Sequence, residues 1–114
     1  MKRILIVDDD ADILEGIAMA LEESYEVATV TSGLDALARI RGGEHFDAAV
    51  IDLMMPQMDG CTLARELHAI EAELPVVLMS AAPMVAQEAS SAGARGFLVK
   101  PFSLTALERM LAGL

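Results

Sequence analysis

Two hydrophobic periods alternate five times along this 114-residue chain, and no other feature limits its fold so strongly. RILIV (3 to 7), EVATV (26 to 30), DAAVID (47 to 52), PVVLM (75 to 79) and GFLV (96 to 99) are compact apolar runs with β-branched content, here β1 to β5. Such runs read as strands buried on both faces. Each gives way to apolar residues at helical spacing. In α1, Ile13, Leu14, Ile17, Ala18 and Leu21 carry the period to about residue 23. In α2, Leu34, Leu37, Ala38 and Arg41 carry it up to the stop at Gly42 and Gly43. Leu63, Leu67 and Ile70 mark α3, α4 lies near residues 84 to 92 before Gly93, and Leu104, Leu107 and Leu111 mark α5. Strand followed by helix five times predicts an α/β fold, a doubly wound parallel sheet with helices on both faces. The length suits one domain, residues 1 to 114, with a real core.

Composition removes several classes of function. The chain is 54% hydrophobic, yet no apolar run approaches the roughly twenty residues of a membrane span. MKRILIVDDD is too short in its apolar part for a signal peptide, so a soluble, cytoplasmic protein is expected. A single cysteine, Cys61, excludes an internal disulfide and a multi-cysteine zinc site. A net charge of -10 repels phosphate backbones and argues against direct nucleic-acid binding by this chain.

In a doubly wound sheet the chemistry collects at the carboxyl ends of the strands. β1 runs into Asp8, Asp9 and Asp10; β3 ends in Asp52; β4 leads to Ser80; β5 ends in Lys100 and Pro101. Lys100 is one of only two lysines, and it follows the apolar Phe97, Leu98 and Val99 in a stretch that reads as buried. A cation there needs an anion, and the acidic strand ends supply it. Crowded carboxylates in turn repel one another and want a hard cation, which Mg²⁺ fits. A carboxylate flanked by a divalent ion, a hydroxyl and an ammonium is arranged to accept a phosphoryl group as an acyl phosphate.

From ILIVDDD through SGLDAL, VIDLMMPQMDG, PVVLMSA and GARGFLVKPF, the sequence resembles the receiver domain of two-component response regulators over essentially its whole length. The resemblance implies a three-layer (βα)5 fold with flavodoxin-like strand order 2-1-3-4-5. It makes Asp52 the phosphoacceptor and gives Mg²⁺ to Asp8, Asp9, Asp52 and the backbone carbonyl of Met54, with Asp8 acting through water. Ser80 would bond the phosphoryl oxygen and move on activation, and Lys100 would be the family's lysine, joined to Pro101 by a cis peptide. Phe97 falls where the family carries a switching aromatic, without the hydroxyl of the more usual tyrosine. The implied partner is a sensor histidine kinase or a phosphotransfer protein, met through Ile13 and Gly16 on α1 and the loop after Lys100. The implied output is a changed α4-β5-α5 face, through which a homodimer could form. Such a domain catalyses only its own phosphorylation and slow dephosphorylation, so it is not an enzyme in the ordinary sense.

Plainer readings exist for single residues. Asp10 and Asp12 suit the first turn of α1, and Asp59 with Gly60 suits a cap and turn before α3. His45 and His68 read as solvated surface residues, Cys61 as a small inert residue, and most methionines as gap-fillers. Two alternative functions stay open: a Mg²⁺-dependent phosphatase of the haloacid dehalogenase type, from the spacing within DDD, and a pseudo-receiver used only for interaction. Met54 and Ala82, two residues beyond Asp52 and Ser80, are expected to flank the path of hydrolytic water and to offer it no general base. Kinase identity, the regulated process, and whether an output domain follows Leu114 are not legible here.

Overall fold

The computed structural model describes residues 1 to 81 and 85 to 114, with side chains for all of these but 85 and 86. The chain runs β1 (Arg3–Val7), α1 (Ala11–Leu21), β2 (Glu26–Val30), α2 (Gly33–Arg41), β3 (Ala48–Asp52), α3 (Gly60–Ile70), β4 (Val76–Ser80), α4 (Val85–Ser91), β5 (Gly96–Val99) and α5 (Leu104–Ala112). All strand pairs are parallel, in the order β2-β1-β3-β4-β5. This is the doubly wound (βα)5 architecture.

Alternation along each central strand splits the interior into two layers. Ile4, Ile6, Val50, Val77 and Met79 pack with Leu14 and Leu21 of α1 and Leu107 and Leu111 of α5. Their neighbours Leu5, Val7, Ile51, Val76 and Leu78 face the other way, against Leu37 and Ile40 of α2 and Leu63 and Leu67 of α3. Each fully buried Leu or Ile contributes roughly 1.5–3 kcal/mol by leaving water. The same side-chain alternation therefore holds α1 and α5 on one face and α2 and α3 on the other.

Boundaries depart from the sequence reading where hydrogen bonding intervenes. β3 begins one residue late, because the Asp47 carboxylate accepts the Arg3 backbone N–H at 2.7 Å. β4 is displaced by one: Pro75 has no N–H to donate and offers only its carbonyl, to Ala49 N at 2.9 Å. α1 starts at Ala11, since Asp10 accepts the N–H groups of Asp12 and Ile13 and sets the first turn, and it ends at Leu21, short of residue 23. The greatest departure is β5. Only Leu98 is buried, while Phe97 is 41% and Val99 48% exposed. β5 is an edge strand, and Leu98 alone points into the layer beneath α5.

Candidate functional site

The parallel register brings the four strand ends level. Val7 pairs with Ile51, Asp52 with Met79, and Ser80 with Val99, and the Lys100 N–H donates to the Ser80 carbonyl at 2.9 Å. Asp8, Asp52 and Ser80 are buried at this edge, at 1%, 5% and 1% exposure, in a protein whose other buried side chains are nearly all apolar. Asp9 is exposed beside them.

Asp8 uses both oxygens. Its Oδ1 accepts the Asp10 N–H at 2.9 Å, and its Oδ2 accepts Lys100 Nζ at 2.8 Å. Asp52 Oδ2 lies 3.6 Å from the same ammonium, and its Oδ1 accepts the Met54 N–H at 3.3 Å. The anion that Lys100 requires is thus chiefly Asp8, with Asp52 second. Burial pushes the Asp52 carboxyl above its ordinary value and the charge of Asp8 adds to the effect, against the opposing pull of Lys100 and the Met54 N–H. For Lys100, burial works against the charged form, but the hydrogen bond to Asp8 and the charge of Asp52 outweigh it and its pKa rises. The Lys100–Pro101 peptide is cis.

Asp8, Asp9 and Asp52 each present an oxygen within 4.8 Å of the others. Three carboxylates against one ammonium leave two negative charges in a partly buried site, and the charge of Asp8 adds to burial in pushing Asp52 upward. The donors are hard oxygens and the residual charge equals that of one divalent ion, so the residues fit Mg²⁺.

Beneath Asp52 lies a contact that the sequence reading treated as a mere turn. Gly60 donates its N–H to the Leu53 carbonyl at 2.8 Å, and a Cβ on it would fall 2.5 Å from the Asp52 carbonyl oxygen and 2.8 Å from Leu53 Cα. Only glycine lets α3 start against the strand end that carries Asp52. The clue in the sequence is the MDG tripeptide, but a close approach to a distant backbone is visible only in three dimensions. Nearby in sequence, Met58 rests on Gly33, where a Cβ would come within 2.9 Å of its sulfur.

The plainer expectations divide. Asp10 caps α1, and Asp59 caps α3 through Thr62 N at 2.8 Å. Cys61 is buried, its thiol within reach of Glu88 Oε2 at 3.5 Å, and burial followed by the Glu88 contact raises its pKa. His45 is exposed beside Glu71 at 3.0 Å. His68 differs from its expectation: it is half-buried, and Nε2 lies 2.9 Å from the Leu74 carbonyl, because the chain folds back after α3. Met54 is 66% exposed and Phe97 faces outward. Ala82 lies outside the described residues.

A doubly wound sheet whose carboxyl edge gathers carboxylates, a buried hydroxyl and a lysine defines the receiver class of signalling domains. The family model described as the response regulator receiver domain matches residues 4–112, and the chain belongs to that family. It is 40% identical over 108 residues to the transcriptional regulatory protein PrrA of Mycobacterium tuberculosis, covering 92% of this chain and 46% of that protein. It is 37% identical over 113 residues to the response regulator MprA of Mycobacterium avium, covering 96% of this chain and 48% of the relative. The chain thus spans about half the length of these curated relatives. Among solved structures, chemotaxis protein CheY4 of Vibrio cholerae superposes with a TM-score of 0.90 at 30% identity, over 99% of this chain and 98% of that one. A CheY-like receiver domain from Methanospirillum hungatei gives 0.91 at 31%, over 99% and 92%. Residues 4–112 are therefore a receiver domain of the two-component response regulator family.

Proposed function

We propose that residues 1 to 114 form one receiver domain that accepts a phosphoryl group on Asp52 from the phosphohistidine of a sensor histidine kinase or phosphotransfer protein. A carboxylate oxygen of Asp52 attacks phosphorus, the bond from phosphorus to the histidine nitrogen breaks, and an acyl phosphate forms. Asp8, Asp9, Asp52 and the Met54 carbonyl would hold Mg²⁺, which supplies neutralisation of the charge on the phosphoryl oxygens. Lys100 and Ser80 bind the remaining oxygens, and burial of Asp52 keeps competing water from the nucleophile.

The observation that carries this reading is the ammonium of Lys100 set 2.8 Å from Asp8 and 3.6 Å from Asp52, within an acidic cluster whose oxygens lie within 4.8 Å. The phosphatase reading has no comparable support, since Asp10, the second acid of its spacing, is engaged in capping α1. The output is a rearranged α4-β5-α5 face driven by Ser80 and Phe97, a face that also suits a homodimer. The setting is the cytoplasm; among the described residues no helix is long and apolar enough to cross a membrane.

Incubation with acetyl phosphate tests the reading. Stable labelling that requires Mg²⁺ and is absent from Asp52→Asn is expected. Continuous release of phosphate without a labelled protein would favour the phosphatase, and no reaction at all would favour the interaction-only module.

A further inference from the structure

A groove of about 750 Å³ is lined by α1, the end of β2 and α2, bordering the carboxyl edge at Ala11 and Thr31 but including none of Asp8, Asp9, Asp52 and Lys100. α1 and α2 belong to opposite layers, so a groove touching both must pass around the rim of the sheet, and β2 is the strand at that rim. Among the described residues β2 pairs only with β1, in an unbroken register from Glu26 to Val30. Exposed edges are ordinarily blunted by lysine, proline or a bulge. Beyond Glu26 at its start, which pairs with Arg3, this strand carries no charge and no proline, and its pairing with β1 shows no bulge. The other edge strand, β5, has four residues and is bracketed by Arg95 and Lys100.

Ala18 from α1 and Ala38 from α2 leave room in the slot beside β2, above an apolar floor of Leu14 and Val30 and beside the exposed Met19. Glu15, Glu22 and Asp35 also line it, and the one cation there, Arg39, is already 3.6 Å from Glu44. From this geometry we infer that the groove receives an extended, apolar segment bearing lysine or arginine from a partner protein, which adds as a strand alongside β2 between α1 and α2. A second copy of this chain is a poor occupant, since it would bring the same three carboxylates and a net charge of -10. The groove shares no lining residue with the recess of Ile13, Ile17, Pro101 and Phe102 that borders Lys100.

The test uses the ¹⁵N-labelled chain and three synthetic peptides: one alternating lysine and valine, one alternating glutamate and valine, and an amphipathic lysine-leucine helix. The basic alternating peptide should shift and protect the amides of Thr29 and Thr31. Its Kd should rise at least about tenfold in Ala38→Phe, which fills the slot, and in Glu15→Lys with Glu22→Lys, which reverses its charge. Both variants should still be phosphorylated like the parent. If Ala38→Phe does not fold, the double charge reversal, made at exposed positions, decides alone. The inference is overturned if the basic strand peptide leaves these amides unmoved, if the acidic peptide binds equally, if the helical peptide binds tighter at the same residues, or if the chain dimerises through this groove.

Discussion

At the scale of single residues, Asp52 is held in a state that favours reaction and opposes stability. Its folded pKa lies above 3.8, so the folded chain binds the proton more tightly than the unfolded one. Stability from this group is therefore lost as pH rises from 3.8 through the folded value, and the loss persists at neutral pH. Asp52→Asn should raise the unfolding midpoint by a few degrees in Mg²⁺-free buffer at neutral pH. That advantage should shrink as pH falls into the carboxylate range. A variant no more stable than the parent at pH 7 would show that burial and Asp8 do not burden this carboxylate. Met54 belongs to the same scale. Its exposed side chain, with Ala82 as its proposed counterpart, offers water no general base, so the phosphoryl state should be long-lived. Met54→Asn with Ala82→Glu should hasten loss of the label by roughly tenfold, about 1.4 kcal/mol of barrier. Equal decay in the double variant would remove both positions from control of the lifetime.

At the scale of elements, the support under Asp52 is the start of α3. Gly60→Ala would drive a methyl into the Asp52 carbonyl and Leu53 Cα, and the backbone on both sides must move. A cost of about 1–3 kcal/mol is expected, together with slower phosphorylation in the fraction that remains folded. Gly16→Ala, which meets nothing within 4 Å in this chain, is the control and should be neutral in phosphorylation rate with acetyl phosphate, a donor that needs no kinase contact. If Gly60→Ala is phosphorylated as fast as the parent, the docking of α3 does not position Asp52. The element order was legible in the sequence because both hydrophobic periods persist through nearly every segment. Asp8, Asp9, Asp52, Ser80 and Lys100 were legible because strand ends in a parallel sheet must meet at one edge. The exposure of Phe97 and Val99 was not legible in GFLV, since an apolar run looks the same at the rim as at the centre, and only the strand order implied by the resemblance sets β5 at the edge. Gly60 and His68 escaped for a related reason: what each touches is set by chain reversal around α3.

At the scale of the whole molecule, binding at the acidic edge is linked to the stability of every layer, because all four site strands belong to one sheet. A divalent ion that binds the folded cluster and not the unfolded chain stabilises by about 1.4 kcal/mol at ten times its dissociation constant, several degrees for a domain of this size. Mg²⁺ should produce that shift in the parent, and Asp9→Ala should lose most of it. An unchanged shift in Asp9→Ala would place the ion elsewhere. Exposed Phe97, Val99 and Leu104 leave apolar area at the face proposed to change on activation, in a chain half as long as the regulators it resembles.

The central claim is that this carboxyl edge is a phosphoacceptor centre with one acceptor. Its most direct test is to phosphorylate the chain with acetyl phosphate and Mg²⁺, digest it, and locate the modified residue by mass spectrometry. A single phosphoryl group on Asp52, with Asp8, Asp9 and Asp59 unmodified, is predicted. Modification at any of those three, or full incorporation into Asp52→Asn, would contradict it.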